Sequence, residues 1–402
     1  MHIGLLTTSF PRFEGDVAGS FVLGFARALA ARGHTLTVLA PEPAEAIPAR
    51  SFDRLPSAEP IATRFVPYVR PRALARTFYG AGVADNVRDP RAWLGLATFP
   101  PALALATARE LRSCDALVSH FGIPCGLIGA ALRRGRPHVA VLHSADLHLL
   151  ERAPAAPLVA AALVAGTDQV TCVSARARTS LVALLPADRR AELSLRIHVQ
   201  AMGTDTSLLA QSLPGREQAR GALGVRGFTL LTLARLVPIK GLCEALDALG
   251  ARADLEWIIA GDGPLRAELL RRAVHARARV RLVGEVHGAD KLALLAAADA
   301  LLLPSRALAS GRAEGAPQAV LEAMAANLPV IASSTGGLCE LLDFGRAGVL
   351  FDADDPGALL AAVDQIRSDP SQLDRRARAS AIARAHDWPL VAERYERWLM
   401  RA

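Results

Sequence analysis

Short apolar runs of about four to six residues alternate with helical stretches along the whole chain, and this rhythm restricts the fold more than any other feature. In the first half the runs are His2–Thr7, Thr35–Leu39, Ala116–Ser119, Val139–Leu142, Gln169–Val173 and Ile197–Gln200, with a helix expected around Val17–Arg32. In the second half they are Thr229–Leu233, Glu256–Ala260, Val280–Val283, Ala300–Leu303, Val330–Ala332 and Val349–Phe351. Continuous apolar runs of this length, separated by helices, indicate strands of parallel sheets covered on both faces. A polar, Gly-containing stretch at Met202–Leu213 separates the two series. The expectation is an α/β protein of two doubly wound, Rossmann-like domains, residues 1–200 and 201–384, facing each other across a cleft. An amphipathic helix within residues 385–402 would follow, carrying Trp388, Leu390, Val391, Tyr395, Trp398 and Leu399. In such sheets ligands sit beyond the carboxyl ends of the strands, so the loops after strands should hold the chemistry.

Composition narrows the class. Hydrophobic residues make up 51% of the 402, enough to bury sizeable cores and to exclude a disordered chain. The most apolar stretch, Ala155–Gly166, is too short for a membrane span and reads as a core helix. Met1–Thr7 reads as a strand, without the basic start of a signal peptide. Five scattered cysteines form no CxxC pair, which points to a reducing, cytoplasmic setting.

The charge is uneven. Residues 1–200 hold 22 Arg against 15 Asp and Glu, whereas residues 201–402 hold 24 of each sign. Arg64–Arg91 is the densest basic part, with Arg64, Arg70, Arg72, Arg76, Arg88 and Arg91 among Phe65, Tyr68, Phe78 and Tyr79. Such a segment is either a solvated loop or a surface for an anionic membrane face. No nucleic-acid-binding pattern accompanies it, so nucleic acid is not an expected partner.

Three constellations carry chemistry. Arg235-Leu-Val-Pro-Ile-Lys240-Gly241 follows a strand and precedes a helix near Leu242, and Lys240 and Lys291 are the only lysines beside 44 arginines. Two cations at a strand-to-helix turn suit a diphosphate; the alternative is a surface loop with incidental charges. Glu314 and Glu322 are separated by seven residues, with Pro317 between them placing the helix start near Gly315 or Ala316. Both carboxylates would then lie near one face, able to accept hydrogen bonds from sugar hydroxyls, unless one is merely a cap and the other solvated. Gly261-Asp-Gly-Pro264 follows a strand and would let a ligand approach the backbone.

In this order, Met202-Gly-Thr-Asp205, Arg235…Lys240-Gly241, Gly261-Asp-Gly-Pro264, Leu303-Pro-Ser305, Glu314-x7-Glu322 and Gly336-Gly-x-x-Glu340 resemble glycosyltransferase family 4. Gly15-Asp-Val-Ala-Gly19, His120-Phe-Gly-x-Pro124 and Leu142-His-Ser-Ala-Asp146 resemble the same family's acceptor-domain signatures. The resemblance implies the GT-B fold and a retaining transfer from a nucleotide-sugar, a UDP- or GDP-sugar. The acceptor would be a glycan or lipid-linked, as in cell-envelope or exopolysaccharide assembly. The enzyme would be cytoplasmic or peripheral at the inner membrane face, and the C-terminal helix would cross back to the N-terminal domain.

The resemblance also assigns roles. Arg235 and Lys240 would neutralise the donor diphosphate, Glu314 would orient the transferred sugar, and Glu322 would bind the ribose hydroxyls. The amides near Gly315, Ala316 and Pro317 would help to bind phosphate and sugar, as would the turn at Gly261 and Gly263 and the loop ending at Gly19. His143 matches the family's active-site histidine. On the acceptor side stand His120, Asp146, Arg70 and Arg72. No metal or other cofactor is expected: His143, Asp146 and His148 need not converge, and Asp352-Ala-Asp354 reads better as part of a helix cap. A nucleotide-sugar epimerase of the same plan, or a catalytically silent nucleotide-sugar-binding assembly protein, remains the alternative.

Overall fold

A computed structural model describes residues 1–45, 60–80, 82–87, 89–368 and 372–401. Arg88 of the basic segment lies outside them. The chain divides into two compact units, Met1–Met202 with Trp388–Ala402, and Gly203–Asp387.

The first unit holds strands β1 (His2–Leu6), β2 (Thr35–Pro41), β3 (Ile61–Val66), β4 (Ala116–His120), β5 (His138–Leu142), β6 (Gln169–Cys172) and β7 (Ile197–Val199). They form one parallel sheet in the order β3-β2-β1-β4-β5-β6-β7. The second unit holds β8 (Phe228–Leu233), β9 (Leu255–Ala260), β10 (Arg279–Gly284), β11 (Ala300–Leu303), β12 (Val330–Ser333) and β13 (Val349–Phe351). These too are parallel, in the order β10-β9-β8-β11-β12-β13. The doubly wound α/β expectation therefore holds in both sheets. Every residue of β4, β5, β9, β11 and β12 is buried, as strands covered by helices on both faces require.

In each sheet the crossovers leave in opposite directions from two neighbouring strands, β1 and β4 in the first and β8 and β11 in the second. At such switch points the loops diverge and leave a crevice at the carboxyl end. The loops after β8 and β11 are those that carry Arg235, Lys240 and Glu314.

Two parts of the basic segment differ from expectation. Residues 61–66 form the edge strand β3, whose burial is broken instead of continuous: Thr63 and Val66 are buried while Ala62 and Arg64 are exposed. Tyr68, Phe78 and Tyr79 are at most 7% exposed and pack with Phe99 and Leu103 in the core. These aromatics are therefore not surface insertions.

The helix Trp388–Arg401 belongs to the first unit. Trp388 lies on helix Ser20–Ala31, where a Cβ on Gly24 would come within 2.8 Å of the indole ring. The Tyr395 hydroxyl pairs with Thr171 of β6 at 2.9 Å, and its ring meets Phe25 edge-on, centroids 4.8 Å apart. Glu396 binds Arg32 and His34, and Arg394 donates to Gln200. Within the second unit, Thr204 forms a parallel bridge with Asp387, and Thr206 N donates to the Asp387 carboxylate at 2.9 Å.

Candidate functional site

The second unit concentrates charge at its switch point. After β8 the chain turns through Arg235, and Leu236 N donates to Asp262 O at 2.8 Å, tying this loop to the one after β9. Gly261 and Gly263 allow that approach: a Cβ on Gly261 would lie 1.9 Å from Ala234 O, and one on Gly263 2.6 Å from Leu236 O. A short 3-10 turn, Pro238–Lys240, ends on Gly241, which adopts φ +62° and starts the helix Leu242–Leu249. Any side chain at 241 would strike Pro304 O, at 2.0 Å from the Cβ position, so glycine lets the β8 loop lie directly against the β11 loop.

This backbone contact brings Lys240 to Glu314. The Lys240 ammonium donates to Glu314 Oε2 at 2.5 Å, and Ser305 Oγ donates to the same oxygen at 3.2 Å. Glu314 O in turn accepts from Gly337 N at 3.0 Å. Burial alone would raise the Glu314 carboxyl pKa, but the charge and hydrogen bond of Lys240, the Ser305 hydroxyl and the charge of Arg235 outweigh it. Glu314 is consequently held below the usual carboxylate range and is ionised at neutral pH. Three of the sequence-selected residues, Arg235, Lys240 and Glu314, thus share one electrostatic environment.

Past Glu314 the helix starts later than the sequence spacing predicts. Pro317 has ψ 129° and caps the helix from outside, so the helix runs Gln318–Ala325 instead of starting near Gly315 or Ala316. Gly315 is buried, Ala316 packs against the core of the unit, and Glu322 stands just over one turn into the helix. Glu322 is paired with a residue to which the sequence reading gave no role: Lys291, on the helix Gly288–Ala297, donates to Glu322 Oε1 at 2.8 Å. The signal available was its rarity. Both lysines of the chain are engaged with the two motif glutamates.

The Asp352-Ala-Asp354 segment behaves as a turn. Asp354 N donates to Asp352 Oδ1 at 2.9 Å, Arg306 binds the Asp354 carboxylate, and Asp355 accepts from Gly357 N at the start of helix Pro356–Ser368.

In the first unit a second group of sequence-selected residues meets. His120 ends β4, and His143 precedes the helix Ser144–Glu151 after β5. Their rings stack, with His120 Nδ1 and His143 Nε2 3.3 Å apart. Phe21, in the first turn after the capping Gly19, sits 5.0 Å from His143 ring to ring, and Phe121 4.7 Å. Burial pushes His120 well below the ordinary imidazole range and His143 down to about 3, so both are neutral at pH 7. His143 can exchange hydrogen bonds there but is a weak base. Asp146 turns inward and accepts from Gly122 N at 2.6 Å, while His148 bonds with Arg152, so the three do not converge. Arg70 donates to Glu42 at 2.6 Å and Arg72 to the carbonyls of Pro43 and Glu45, which ties these arginines to the chain's own loop.

Asp146 has a measurable consequence. Burial raises its pKa to about 7, and Oδ1 has no hydrogen-bond partner among the described residues. A carboxyl raised in the folded state stabilises fully below its unfolded value, about 4, and loses that contribution as pH rises through the folded value. Wild-type stability should fall by about 2–4 kcal/mol between pH 4 and 8 relative to Asp146→Asn. Urea titrations at several pH values check this, and parallel pH profiles for the two proteins would refute it.

Comparison with known proteins agrees with this layout. The profile of Glycosyltransferase Family 4 matches residues 18–193, and that of Glycosyl transferases group 1 matches residues 227–369. A GDP-mannose-dependent alpha-(1-6)-phosphatidylinositol monomannoside mannosyltransferase of Mycolicibacterium smegmatis is 30% identical over 302 residues, 72% of this chain and 76% of that protein. The GDP-mannose-dependent monoacylated alpha-(1-6)-phosphatidylinositol monomannoside mannosyltransferase of Corynebacterium glutamicum is 31% identical over 205 residues, 48% of this chain. That match spans about half of the Corynebacterium protein, 53% of its length. Among solved structures, Anabaena HepE in complex with UDP and glucose superposes over the full length of both chains with a TM-score of 0.73 at 21% identity. Its likeness and that of other glycosyltransferases identify the two-sheet architecture as the GT-B fold. The chain belongs to the group 1, family 4 glycosyltransferases.

Proposed function

We propose that this glycosyltransferase moves a hexosyl unit, with retention of configuration, from a UDP- or GDP-sugar to a glycan or lipid-linked acceptor in envelope or exopolysaccharide assembly. The observation that carries the reading is the Lys240–Glu314 pair at the β8/β11 switch point, under the charge of Arg235. Donor binding exchanges partners there. Lys240 leaves Glu314 for the diphosphate, and the freed carboxylate accepts from a hydroxyl of the transferred sugar.

As the bond from the anomeric carbon to the phosphate oxygen breaks, negative charge builds on the diphosphate. Arg235 and Lys240 stabilise that charge, which is the usual large term in such a step. The acceptor oxygen bonds to the anomeric carbon on the same face, and its proton passes to the departing phosphate oxygen. His143, neutral beside His120, offers a hydrogen bond to the sugar or acceptor. Two cations perform the charge neutralisation for which other transferases use a divalent ion, so activity should not require added metal.

The donor class draws support from the GDP-mannose dependence in the names of the Corynebacterium and Mycolicibacterium relatives and from the UDP in HepE. The acceptor class draws support from the phosphatidylinositol mannosides of those relatives and from the 30% identical amylovoran biosynthesis glycosyltransferase AmsK of Erwinia amylovora. A thermal-shift panel of GDP-mannose, UDP-glucose and related donors tests the reading, because ligand bound to the native state raises apparent stability. A shift with one donor that is lost in Glu314→Gln is the expected result. No shift with any nucleotide-sugar would overturn it.

A further inference from the structure

His120 and His143 meet at the carboxyl ends of β4 and β5, beside the switch point of the first sheet. Their planes lie 20° apart, and the 5.6 Å between ring centres exceeds the 3.3 Å between His120 Nδ1 and His143 Nε2 by no more than two ring radii. The two nitrogens therefore lie nearly on the line joining the ring centres, as in an N–H···N hydrogen bond. Both rings are neutral at pH 7, so one proton stands between these nitrogens and each ring keeps one bare nitrogen. Either His120 Nδ1 carries that proton and donates to His143 Nε2, or the direction is reversed.

The opposite side of the His120 ring decides between the two. With the direction reversed, the proton of His120 would sit on Nε2. His120 is fully buried, and that atom is sealed from solvent with no hydrogen-bond partner among the described residues. The rings of Phe21 and Phe25 lie 6.2 and 5.0 Å away between centres, and a phenyl face is a weak substitute for an acceptor. Folded proteins leave a buried N–H unpaired more rarely than a buried acceptor, so Nε2 is the bare nitrogen and Nδ1 the donor. His143 then carries its own proton on Nδ1. That nitrogen makes no hydrogen bond among the described residues, but His143 is only half-buried and its Nδ1 is not sealed from solvent as His120 Nε2 is.

We propose that His120 is a positioning residue whose Nδ1–H fixes His143 in the Nδ1-protonated tautomer, so that His143 meets a ligand as a hydrogen-bond donor and not as an acceptor. The inference rests on the reading that His143 faces the sugar or acceptor, and it adds the direction of that hydrogen bond. An Nδ1–H suits the lone pair of a hydroxyl, ether or phosphoryl oxygen and cannot take a proton from the attacking hydroxyl.

Nitrogen–proton correlation spectra of the full chain, labelled with 15N-histidine and free of ligand, test the tautomer at neutral pH. His120 and His143 should each show the proton on Nδ1 and a bare Nε2, their signals being identified by loss in His120→Leu and His143→Gln. A proton on Nε2 of either ring would overturn the proposal. His120→Leu should release His143 to a mixture of tautomers and lower kcat/KM by roughly three- to tenfold, as expected when the competent form holds only about 10–30% of the molecules. His120→Asn places an amide nitrogen where Nδ1 stood, and it should keep more of the Nδ1-protonated form and more of the rate than His120→Leu.

Melting temperatures identify a variant that does not fold; the wild-type spectrum and His120→Asn then decide. A folded His120→Leu protein in which His143 stays protonated on Nδ1, or in which kcat/KM equals that of wild type, would also overturn the proposal. Full activity in His143→Gln would instead remove the reading of His143 on which the inference rests.

Discussion

Lys240→Ala should lower kcat by roughly 30- to 1000-fold, because a cation facing charge that develops in the transition state is worth about 2–4 kcal/mol of barrier. The same substitution acts on stability through Glu314. With Lys240 gone, burial dominates the carboxyl and its pKa moves from below the ordinary range to above it. Removing one partner of a buried pair costs about 3–5 kcal/mol; with 12% and 16% of the two side chains still exposed, about 2–3 kcal/mol is expected here.

The pH dependence separates the two effects. In wild type the lowered Glu314 contributes stability above the unfolded carboxylate value, and that contribution is lost as pH falls through the folded one. In Lys240→Ala the raised carboxyl contributes below the unfolded value and loses it as pH rises. The stability gap between the two proteins should therefore widen from pH 4 to pH 7. Lys240→Met with Glu314→Gln removes both charges and should recover most of the stability while remaining inactive. Urea unfolding and initial-rate assays on the three proteins give both readouts. A Lys240→Ala enzyme within threefold of wild-type kcat would refute the assignment.

Tyr395→Ala should cost about 3–5 kcal/mol, the usual loss for truncating a fully buried aromatic. The ring fills space between β6 and the helix Ser20–Ala31, where it meets Phe25, and Trp398 packs against it at 5.1 Å between centroids. Tyr395→Phe keeps that volume and loses only the bond to Thr171, for about 1–2 kcal/mol, since the Thr171 hydroxyl is left buried and unpaired. Denaturant midpoints for the two variants check the ratio. Equal losses in both would mean that the hydroxyl, not the ring, holds the helix in place.

The parts of the fold legible in the sequence were those whose environment is uniform. β5, β9 and β11 are buried from end to end, so their apolar runs stand out from the helices around them. β3 was missed because it is an edge strand of mixed burial, with Ala62 and Arg64 exposed beside buried Thr63 and Val66, so it shows no continuous apolar run. Tyr68, Phe78 and Tyr79 were misjudged because arginines adjacent in sequence turn outward while these rings turn in, a division that neighbours in sequence do not reveal.

At the site, the motif glutamates and Lys240 were legible by spacing and rarity. Their pairing was not, since Lys240 lies 74 residues from Glu314 and Lys291 lies 31 from Glu322. The helix start failed by a few residues because a proline suits both the first helical position and the residue before it. Its extended ψ at 317 decided between them.

The return of Trp388–Arg401 to the first sheet has a bearing on biosynthesis. The nascent Met1–Met202 segment leaves the ribosome with the Phe25 side of helix Ser20–Ala31 uncovered, and Gly203–Asp387 must be translated before its cover arrives. At about 5–20 residues per second that wait lasts roughly ten to forty seconds. During it, a greasy seam is open to chaperones and to neighbouring polypeptides, and a message cut short before codon 388 would yield a product that never closes it.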